Sequence, residues 1–282
     1  MSHVELPHGT VHYRESGAGA PVVFLHGWLM GAPLWDPVVH RLEDEFRCLV
    51  PELPFGAHSV PMRAGADLTT AGLGRLVADF LGALDLSDVI LVGNDSGAAV
   101  AQVVAARHAG RLGGLVLATG DAFDNYPPKP FRPLITVARA GALTALLAML
   151  KTRPPRSLPT AYGWLTHGDL PHDLIDQWIA AYFAGKGVRR DLRRLTAALG
   201  DDDFMNQIAT ELATFTRPAL LAWAADDKFF PAEHARRLAA ILPNAQVEMI
   251  PGSRTWVMRD QPERTAHLIG RFARRTVTTQ TT

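Results

Sequence analysis

The chain has 282 residues, of which 48% are hydrophobic, and it carries 28 basic and 28 acidic side chains. This length allows one large α/β domain, or one such domain with an insertion. The zero net charge argues against nucleic-acid and anionic-membrane partners, so we expect a small-molecule substrate. Both a monomer and a homodimer stay open.

The single cysteine, Cys48, lies in an apolar run, which indicates a buried thiol and a reducing compartment. The amino terminus has neither the basic nor the apolar segment of a signal peptide, and no apolar run reaches membrane-spanning length. These features predict a cytoplasmic protein.

Strand and helix patterns alternate along the first part of the chain. A β-hairpin is predicted around residues 7–9, followed by a buried strand, "PVVFL", and a helix over 33–46. Further strands are "RCLVPEL", "DVILVG" and "LGGLVLATG", with helices over 67–86 and 96–110 between them. This alternation predicts an α/β fold with a mostly parallel, doubly wound sheet.

The pattern changes between residues 121 and 215. This segment contains Pro-rich joints and amphipathic helical stretches but no convincing strand, so it predicts a helical insertion. Alternation resumes after residue 216 and ends with a helix over 262–275. The polar, Thr-rich tail that follows is expected to lack regular structure.

A sharp turn is predicted at Asp95, in "GNDSG", between a buried strand and a helix. Gly93 and Gly97 lie two residues to either side, at the spacing of the G-x-S-x-G turn, which is strained and needs small flanking residues. Ser96 in the central role would have an asparagine as one flanking residue, which fits less well. The alternative is that Asp95 simply caps the following helix.

With this turn, the chain resembles the α/β-hydrolase superfamily over essentially its whole length. The resemblance implies a core domain made of residues 1–120 and 216–282, with 121–215 as a helical cap, or lid, over the active site. An aspartate at the turn is similar to the epoxide hydrolase and haloalkane dehalogenase branch. There the carboxylate attacks carbon and forms an alkyl-enzyme ester, which an activated water hydrolyses.

His26, Gly27 and Trp28 follow a predicted strand and resemble the His-Gly motif of the superfamily. The resemblance implies that the backbone N–H groups of Trp28 and Ser96 stabilise the charge that develops in the reaction. His26 is expected to bond loop backbone beneath the site. The Trp28 ring is expected either in the core or in the pocket wall.

The sequence departs from this branch after the turn. Ser96 stands where both kinds of enzyme usually have a tryptophan, which weakens the dehalogenase interpretation because that tryptophan holds the halide. Epoxide opening would use cap tyrosines as acids, and Tyr126, Tyr162 and Tyr182 are the candidates. Each of them could equally be a packing residue.

Two regions could supply the acid that normally orients the catalytic histidine. Asp227, in "ADDKFFP", resembles the acid of the loop after a late strand, with Asp226 as the near alternative. Some dehalogenases instead take the acid from the end of the preceding strand, where this chain has Asp121 and Asp124. Capping or solvated-loop roles are equally open for Asp226 and Asp124.

The expected histidine is missing. Aligning Trp256 and "QPE" with the superfamily pattern puts Thr255 at the histidine position, and a threonine hydroxyl cannot act as a general base near neutral pH. We therefore expect an incomplete triad, with Thr255 and Trp256 as polar and aromatic residues of the pocket. The candidate replacement bases are His58, His167, His172 and His267.

The sequence thus predicts an α/β-hydrolase-fold enzyme for a small, largely apolar substrate, epoxide hydrolase-like, with Asp95 as nucleophile. No metal ligand cluster or phosphate loop is evident, so no cofactor is expected. One alternative is a lyase, isomerase or cyclase that uses Asp95 as a general acid or base. Another is a non-catalytic, ligand-binding descendant, against which the strained turn argues.

Overall fold

The computed structural model describes residues 1–200 and 202–280. Eight strands form one sheet: β1 (Ser2–Leu6), β2 (Gly9–Ser16), β3 (Ala20–Leu25), β4 (Phe46–Pro51), β5 (Val89–Asp95), β6 (Leu112–Gly120), β7 (Ala219–Ala224) and β8 (Ala245–Ile250). The strand order is β1-β2-β4-β3-β5-β6-β7-β8. β1 and β2 form the predicted hairpin, β2 pairs antiparallel with β4, and the remaining pairs are parallel. The predicted fold class is confirmed.

Helices flank this sheet. They are α1 (Asp36–Val39), α2 (Thr70–Ala83), α3 (Ser96–Arg107), α4 (Pro133–Arg139), α5 (Leu143–Leu147), α6 (Arg153–Arg156), α7 (His172–Ala184), α8 (Lys186–Ala198), α9 (Asp202–Glu211), α10 (Ala232–Ile241), α11 (Val257–Asp260) and α12 (Pro262–Gln280). Across the described ranges, none of them combines the length and apolar character needed to cross a bilayer.

The central strands explain where a site can form. β5 and β6 are buried along almost their whole length, as expected for parallel strands covered by helices on both faces. Their carboxyl ends lie side by side, since Asp95 at the end of β5 is the register partner of Gly120 at the end of β6. Ligands of open α/β sheets bind at this edge.

The segment between β6 and β7 folds as helices α4 to α9, and the described part of it contains no strand. The two long amphipathic stretches predicted there are α7 and α8. α8 is tied to the loop before α2, because Arg190 and Arg194 donate to backbone carbonyls of residues 62–66. This segment therefore packs through polar contacts against the loop that precedes α2.

Two predicted helices differ from the structure. The helix expected over 33–46 is reduced to a short 3-10 helix, Ala32–Trp35, and α1, followed by hydrogen-bonded turns up to Phe46, where β4 begins. The last helix is longer than predicted, because α12 continues to Gln280 and buries Thr276 in the tail that was expected to be irregular. Residues 281–282 of that tail lie outside the described residues.

Candidate active site

Asp95 occupies a strained turn between β5 and α3. Its backbone has φ 54° and ψ −129°, a conformation that costs a non-glycine residue roughly 1–3 kcal/mol. A Cβ on Gly93 would come within 2.5 Å of the Gly97 carbonyl oxygen, and one on Gly97 within 2.7 Å of the carbonyl oxygens of Leu25 and His26. The flanking glycines are required because strand and helix approach this closely.

Three donors converge on one oxygen of the Asp95 carboxylate. Oδ1 accepts from the Ser96 backbone N–H at 2.7 Å, the Ser96 hydroxyl at 3.1 Å and the Trp28 backbone N–H at 3.4 Å. Gly27 makes room for this arrangement, since a Cβ there would overlap Oδ1. The backbone amides of Trp28 and Ser96, which the resemblance assigns to charge stabilisation, thus both face the Asp95 carboxylate.

A cavity of about 260 Å³ opens above this carboxylate. Most of its wall is apolar and comes from the helical insertion, including several prolines of the Pro-rich joints. Three of its lining residues, Leu146, Met149 and Leu158, are also among the exposed large hydrophobic residues. The polar groups in the wall belong to Trp28, Asp95, Ser96, Asp121, Thr160, Tyr162 and Thr196.

Asp121 is the second carboxyl group in the cavity wall, one residue beyond the end of β6. The backbone N–H of Asp121 donates to the Asp95 carbonyl oxygen at 3.3 Å, and the Gln102 side-chain amide donates to the Asp121 carbonyl oxygen at 2.7 Å. Burial and the neighbouring Asp95 charge raise the pKa of Asp121 well above its usual range. Burial also raises the pKa of Asp95, but the amides of Ser96 and Trp28 oppose this. Asp95 is therefore the member of the pair that ionises first.

Asp227 and Thr255 are bonded to each other, away from the cavity. The Thr255 hydroxyl donates to Asp227 Oδ2 at 2.7 Å, while the backbone N–H groups of Phe229 and Phe230 donate to Oδ1, each at 2.7 Å. Neither residue contributes to the cavity wall. Thr255 is fully buried, so its expected place as a polar pocket residue is corrected: its hydroxyl serves the Asp227 carboxylate.

The candidate replacement histidines lie elsewhere as well. Of the lining residues that the structure describes, none is a histidine. His58 is buried against Asp191 at 3.4 Å, and His167 pairs at the surface with Asp226, also at 3.4 Å. His172 begins α7 and His267 lies exposed on α12. These placements give none of the four contact with the Asp95 carboxylate.

His26 has the structural place that was expected. Its Nε2 accepts from the Leu53 backbone N–H at 3.1 Å, and Nδ1 faces the Gly27 carbonyl at 3.1 Å. Burial lowers the pKa of His26 to about 4, so the ring is neutral near pH 7. It supports the loop beneath the cavity and does not line it.

One of the three tyrosines considered lines the cavity. Tyr162 does so, with its hydroxyl donating to the Leu29 carbonyl at 3.0 Å. Tyr182 bonds Thr144 at 2.8 Å and Tyr126 bonds Thr70, both outside the cavity wall. The hydroxyl proton of Tyr162 is thus bonded to a backbone carbonyl and does not point at a substrate in the cavity.

The two tryptophans of the predicted site have different places. Trp28 lines the cavity, and its indole N–H donates to the Thr196 hydroxyl on α8 at 2.9 Å. Trp256 is fully buried and donates to Met30 Sδ at 3.3 Å, so its expected place in the pocket is corrected to the core beneath it.

Two residues of this region had no signal in the sequence. Thr196 lines the cavity and accepts the Trp28 indole bond, yet it is one threonine in a helix rich in arginine. Asn94 donates to the carbonyls of Thr119 at 3.1 Å and Thr255 at 2.7 Å, which joins the end of β6 to the loop after β8. Only the fold shows which hydrogen-bond partners these two side chains reach.

Comparison with known families agrees with this architecture. A model of the alpha/beta hydrolase fold family matches residues 20–262, most of the chain. The chain belongs to the alpha/beta hydrolase fold family.

Named relatives within this family are enzymes. Haloalkane dehalogenase 2 of Mycobacterium tuberculosis is 27% identical over 285 residues, covering 94% of this chain and 92% of the relative. A 2-hydroxy-6-oxononadienedioate/2-hydroxy-6-oxononatrienedioate hydrolase of Cupriavidus pinatubonensis is 26% identical, covering 87% and 84%. These relatives support an α/β hydrolase enzyme.

Solved structures share the fold at lower identity. A haloalkane dehalogenase from Bradyrhizobium elkani superposes with a TM-score of 0.80 at 19% identity, covering 99% of this chain and 98% of that one. An enol-lactonase from Burkholderia xenovorans superposes with a TM-score of 0.74 at 18% identity, covering 96% and 99%. At this identity the likeness concerns the fold alone.

Proposed function

We propose that this alpha/beta hydrolase is an Asp-nucleophile enzyme, epoxide hydrolase-like, for a small and largely apolar substrate. The observation that carries the proposal is the Asp95 carboxylate itself, held in a strained turn at the floor of an apolar cavity. Residues 121–215 form the cap of the enzyme, since they supply most of the cavity wall.

The hydrogen bonds indicate different roles for the two carboxylate oxygens of Asp95. All three bonds fall on Oδ1, so Oδ2 is the oxygen that attacks the substrate carbon. Attack by Oδ2 forms an ester whose carbonyl oxygen is Oδ1. When water adds to that carbonyl, the amides of Ser96 and Trp28 already face the oxygen on which negative charge develops.

The donors around the cavity favour an oxygen leaving group over a halide. Ser96 offers no indole N–H, and the Trp28 indole N–H is engaged by Thr196 at 2.9 Å. A halide would therefore lack the indole donors that hold it in dehalogenases. An epoxide oxygen needs a proton, and Asp121 is a buried carboxyl group in the same wall.

A second candidate follows from the position of Thr255. Its hydroxyl bonds Asp227 and no described histidine lines the cavity, which supports the hypothesis that the usual water-activating base is missing. This favours, as the rival function, a non-hydrolytic enzyme in which Asp95 moves a proton during an elimination, an isomerisation or a cyclisation.

A single turnover in oxygen-18 water separates the two candidates. If Asp95 is the nucleophile, water attacks the ester carbonyl, so the heavy oxygen enters the Asp95 peptide and the first product carries an oxygen from Asp95. Mass spectrometry of the peptide and the product measures both. Asp95→Asn should abolish turnover, while Asp124→Asn, an exposed carboxylate of the loop after β6, should keep it. Full turnover by Asp95→Asn would refute the proposed role.

A further inference from the structure

We propose that Asp121 is the acid that protonates the leaving oxygen and then, in place of the expected histidine, the base that activates water. This inference rests on the proposed function of Asp95. It assigns the acid step of ester formation and the base step of ester hydrolysis to one residue that lines the same cavity.

Backbone contacts hold Asp121 next to the nucleophile. Asp95 and Gly120 are register partners, so Asp121 is the first residue beyond the point where β5 and β6 end together. The Asp121 N–H bonds the Asp95 carbonyl at 3.3 Å, and Gln102 fixes the Asp121 carbonyl at 2.7 Å. Both carboxyl groups contribute to the wall of one cavity.

The Asp121 side chain has few hydrogen-bond partners: the Ser96 hydroxyl interacts with it and opposes the rise of its pKa, while one carboxyl oxygen is unbonded. It is 2% exposed, and its Oδ1 finds no hydrogen-bond partner within the part of the chain that the structure covers. Asp227, by contrast, accepts three hydrogen bonds. A buried carboxyl group with an unbonded oxygen favours the neutral form, and the nearby Asp95 charge adds to this. Its raised pKa agrees with that placement.

The proton balance closes over one cycle with an epoxide. Asp95 Oδ2 forms a bond to the epoxide carbon as the carbon–oxygen bond breaks, and the Asp121 carboxyl gives its proton to the departing oxygen. The Asp121 carboxylate then takes a proton from water, whose oxygen adds to the ester carbonyl. Collapse of this adduct expels the second alcohol oxygen, which takes the proton left on the new Asp95 carboxyl. Asp95 is again ionised and Asp121 again protonated.

Other polar groups of the cavity are less suited to this exchange. The Tyr162 hydroxyl donates to the Leu29 carbonyl, and the Ser96 hydroxyl donates to Asp95 Oδ1. The Thr196 hydroxyl donates to the Leu192 carbonyl at 2.7 Å. Hydroxyl groups also have pKa values too high to serve as a base for water near neutral pH.

The test uses two probes whose leaving groups differ in their need for a proton. A terminal epoxide needs an acid, whereas a 1-bromoalkane releases bromide without one and leaves Asp121 protonated. Esterification then removes the Asp95 charge that raises the pKa of Asp121, so Asp121 loses its proton to solvent and is the base for hydrolysis of this ester as well. In the purified full chain, Asp121→Asn should alkylate Asp95 with the bromoalkane at a rate within a few-fold of the parent. The ester should then persist as added mass on the Asp95 peptide. Alkylation by the epoxide should slow by about 100-fold or more, the usual contribution of a general acid.

A matched variant and a measurement on the parent protein complete the test. Asp124→Asn makes the same chemical change three positions along the same loop, at an exposed side chain, and should accumulate no ester. In the parent protein, the rate of alkylation by the epoxide should fall as pH rises through the pKa of Asp121, while the rate with the bromoalkane should not. This second readout does not depend on the folding of any variant.

The possible outcomes separate the two levels of the proposal. Turnover of both probes by Asp121→Asn at the parent rate, without accumulated ester, would overturn the role of Asp121 and leave the nucleophile intact. If neither the parent nor the variant gains mass on Asp95 or turns over either probe, the Asp95 proposal itself fails. Ester that persists in Asp121→Asn, and is cleared in the parent and in Asp124→Asn, supports both.

Discussion

Replacing Thr255 with valine tests whether this residue is a structural support for Asp227. Valine keeps the shape of the Thr255 side chain, which is fully buried. It removes the hydroxyl that donates to Asp227 Oδ2 at 2.7 Å. A hydrogen bond to a charged group is worth about 1.5–3 kcal/mol, and we take the lower end because Asp227 is partly exposed. We therefore expect a loss of about 1.5 kcal/mol in the free energy of unfolding.

The expected thermal shift follows from the size of the protein. At roughly 2.1 cal/mol/K per residue, the 282-residue chain has an unfolding entropy of about 0.6 kcal/mol/K, so Tm should fall by about 2–3 °C. Differential scanning calorimetry measures this shift. Thr255→Ser makes the opposite change, since it keeps the hydroxyl that bonds Asp227 and removes the methyl group; it should keep the pH-dependent stabilisation that Thr255→Val loses.

The pH dependence of the same shift gives a sharper check. The Thr255 hydroxyl lowers the pKa of Asp227, against the larger effect of burial, so it stabilises the ionised carboxylate. The difference in Tm should therefore be largest where Asp227 is ionised and should shrink as pH falls through its pKa. Turnover should stay within a few-fold. An unchanged Tm combined with a large loss of turnover would refute the structural role and place Thr255 in the chemistry.

Three further changes test other parts of the site. Gly97→Ala should lower the free energy of unfolding by roughly 1–3 kcal/mol and remove most of the activity, because its Cβ would lie 2.7 Å from the Leu25 carbonyl oxygen. An unchanged midpoint in denaturant unfolding would show that the turn relaxes and would contradict this. Trp28→Phe loses the 2.9 Å bond to Thr196, so we expect a cost of about 1 kcal/mol and a higher KM, whereas an unaltered KM would separate that bond from substrate binding. Asp121→Asn should raise Tm near pH 7: the folded state holds the proton that the unfolded chain loses above about pH 4, so the parent loses stability as pH rises toward the raised pKa of Asp121. A Tm difference that stays constant with pH would contradict this.

Asp227 and Asp121, the two candidate acids, lie in different environments. The Thr255 hydroxyl donates to Asp227, the candidate acid of the loop after β7, and Asp227 does not line the cavity. Asp121, the other acid candidate, stays at the cavity with an unbonded oxygen. Of the two positions from which the sequence could draw an acid, only the one after β6 is among the described residues that line the cavity.

The sequence by itself determined the fold and the turn at Asp95. Both depend on local patterns, namely alternating strands and helices and a spacing of small residues around a sharp turn, and such patterns are set by neighbours in the chain. From the resemblance to the superfamily, the sequence also predicted that Thr255 stands at the position of the catalytic histidine. It placed Asp227 and Asp121 on an equal footing as acids, and Trp256 and Tyr182 in the pocket.

Only the tertiary structure decided between these residues. Which carboxyl group faces the cavity depends on how the ends of β6 and β7 lie relative to Asp95, and on which backbone amides each loop turns inward. Contacts such as Thr255 with Asp227 and Trp28 with Thr196 join residues far apart in the chain, so no local pattern encodes them. Asp227 is satisfied by its own loop, whereas Asp121 is buried beside Asp95 without full hydrogen bonding, and that difference in environment is what distinguishes two otherwise identical side chains.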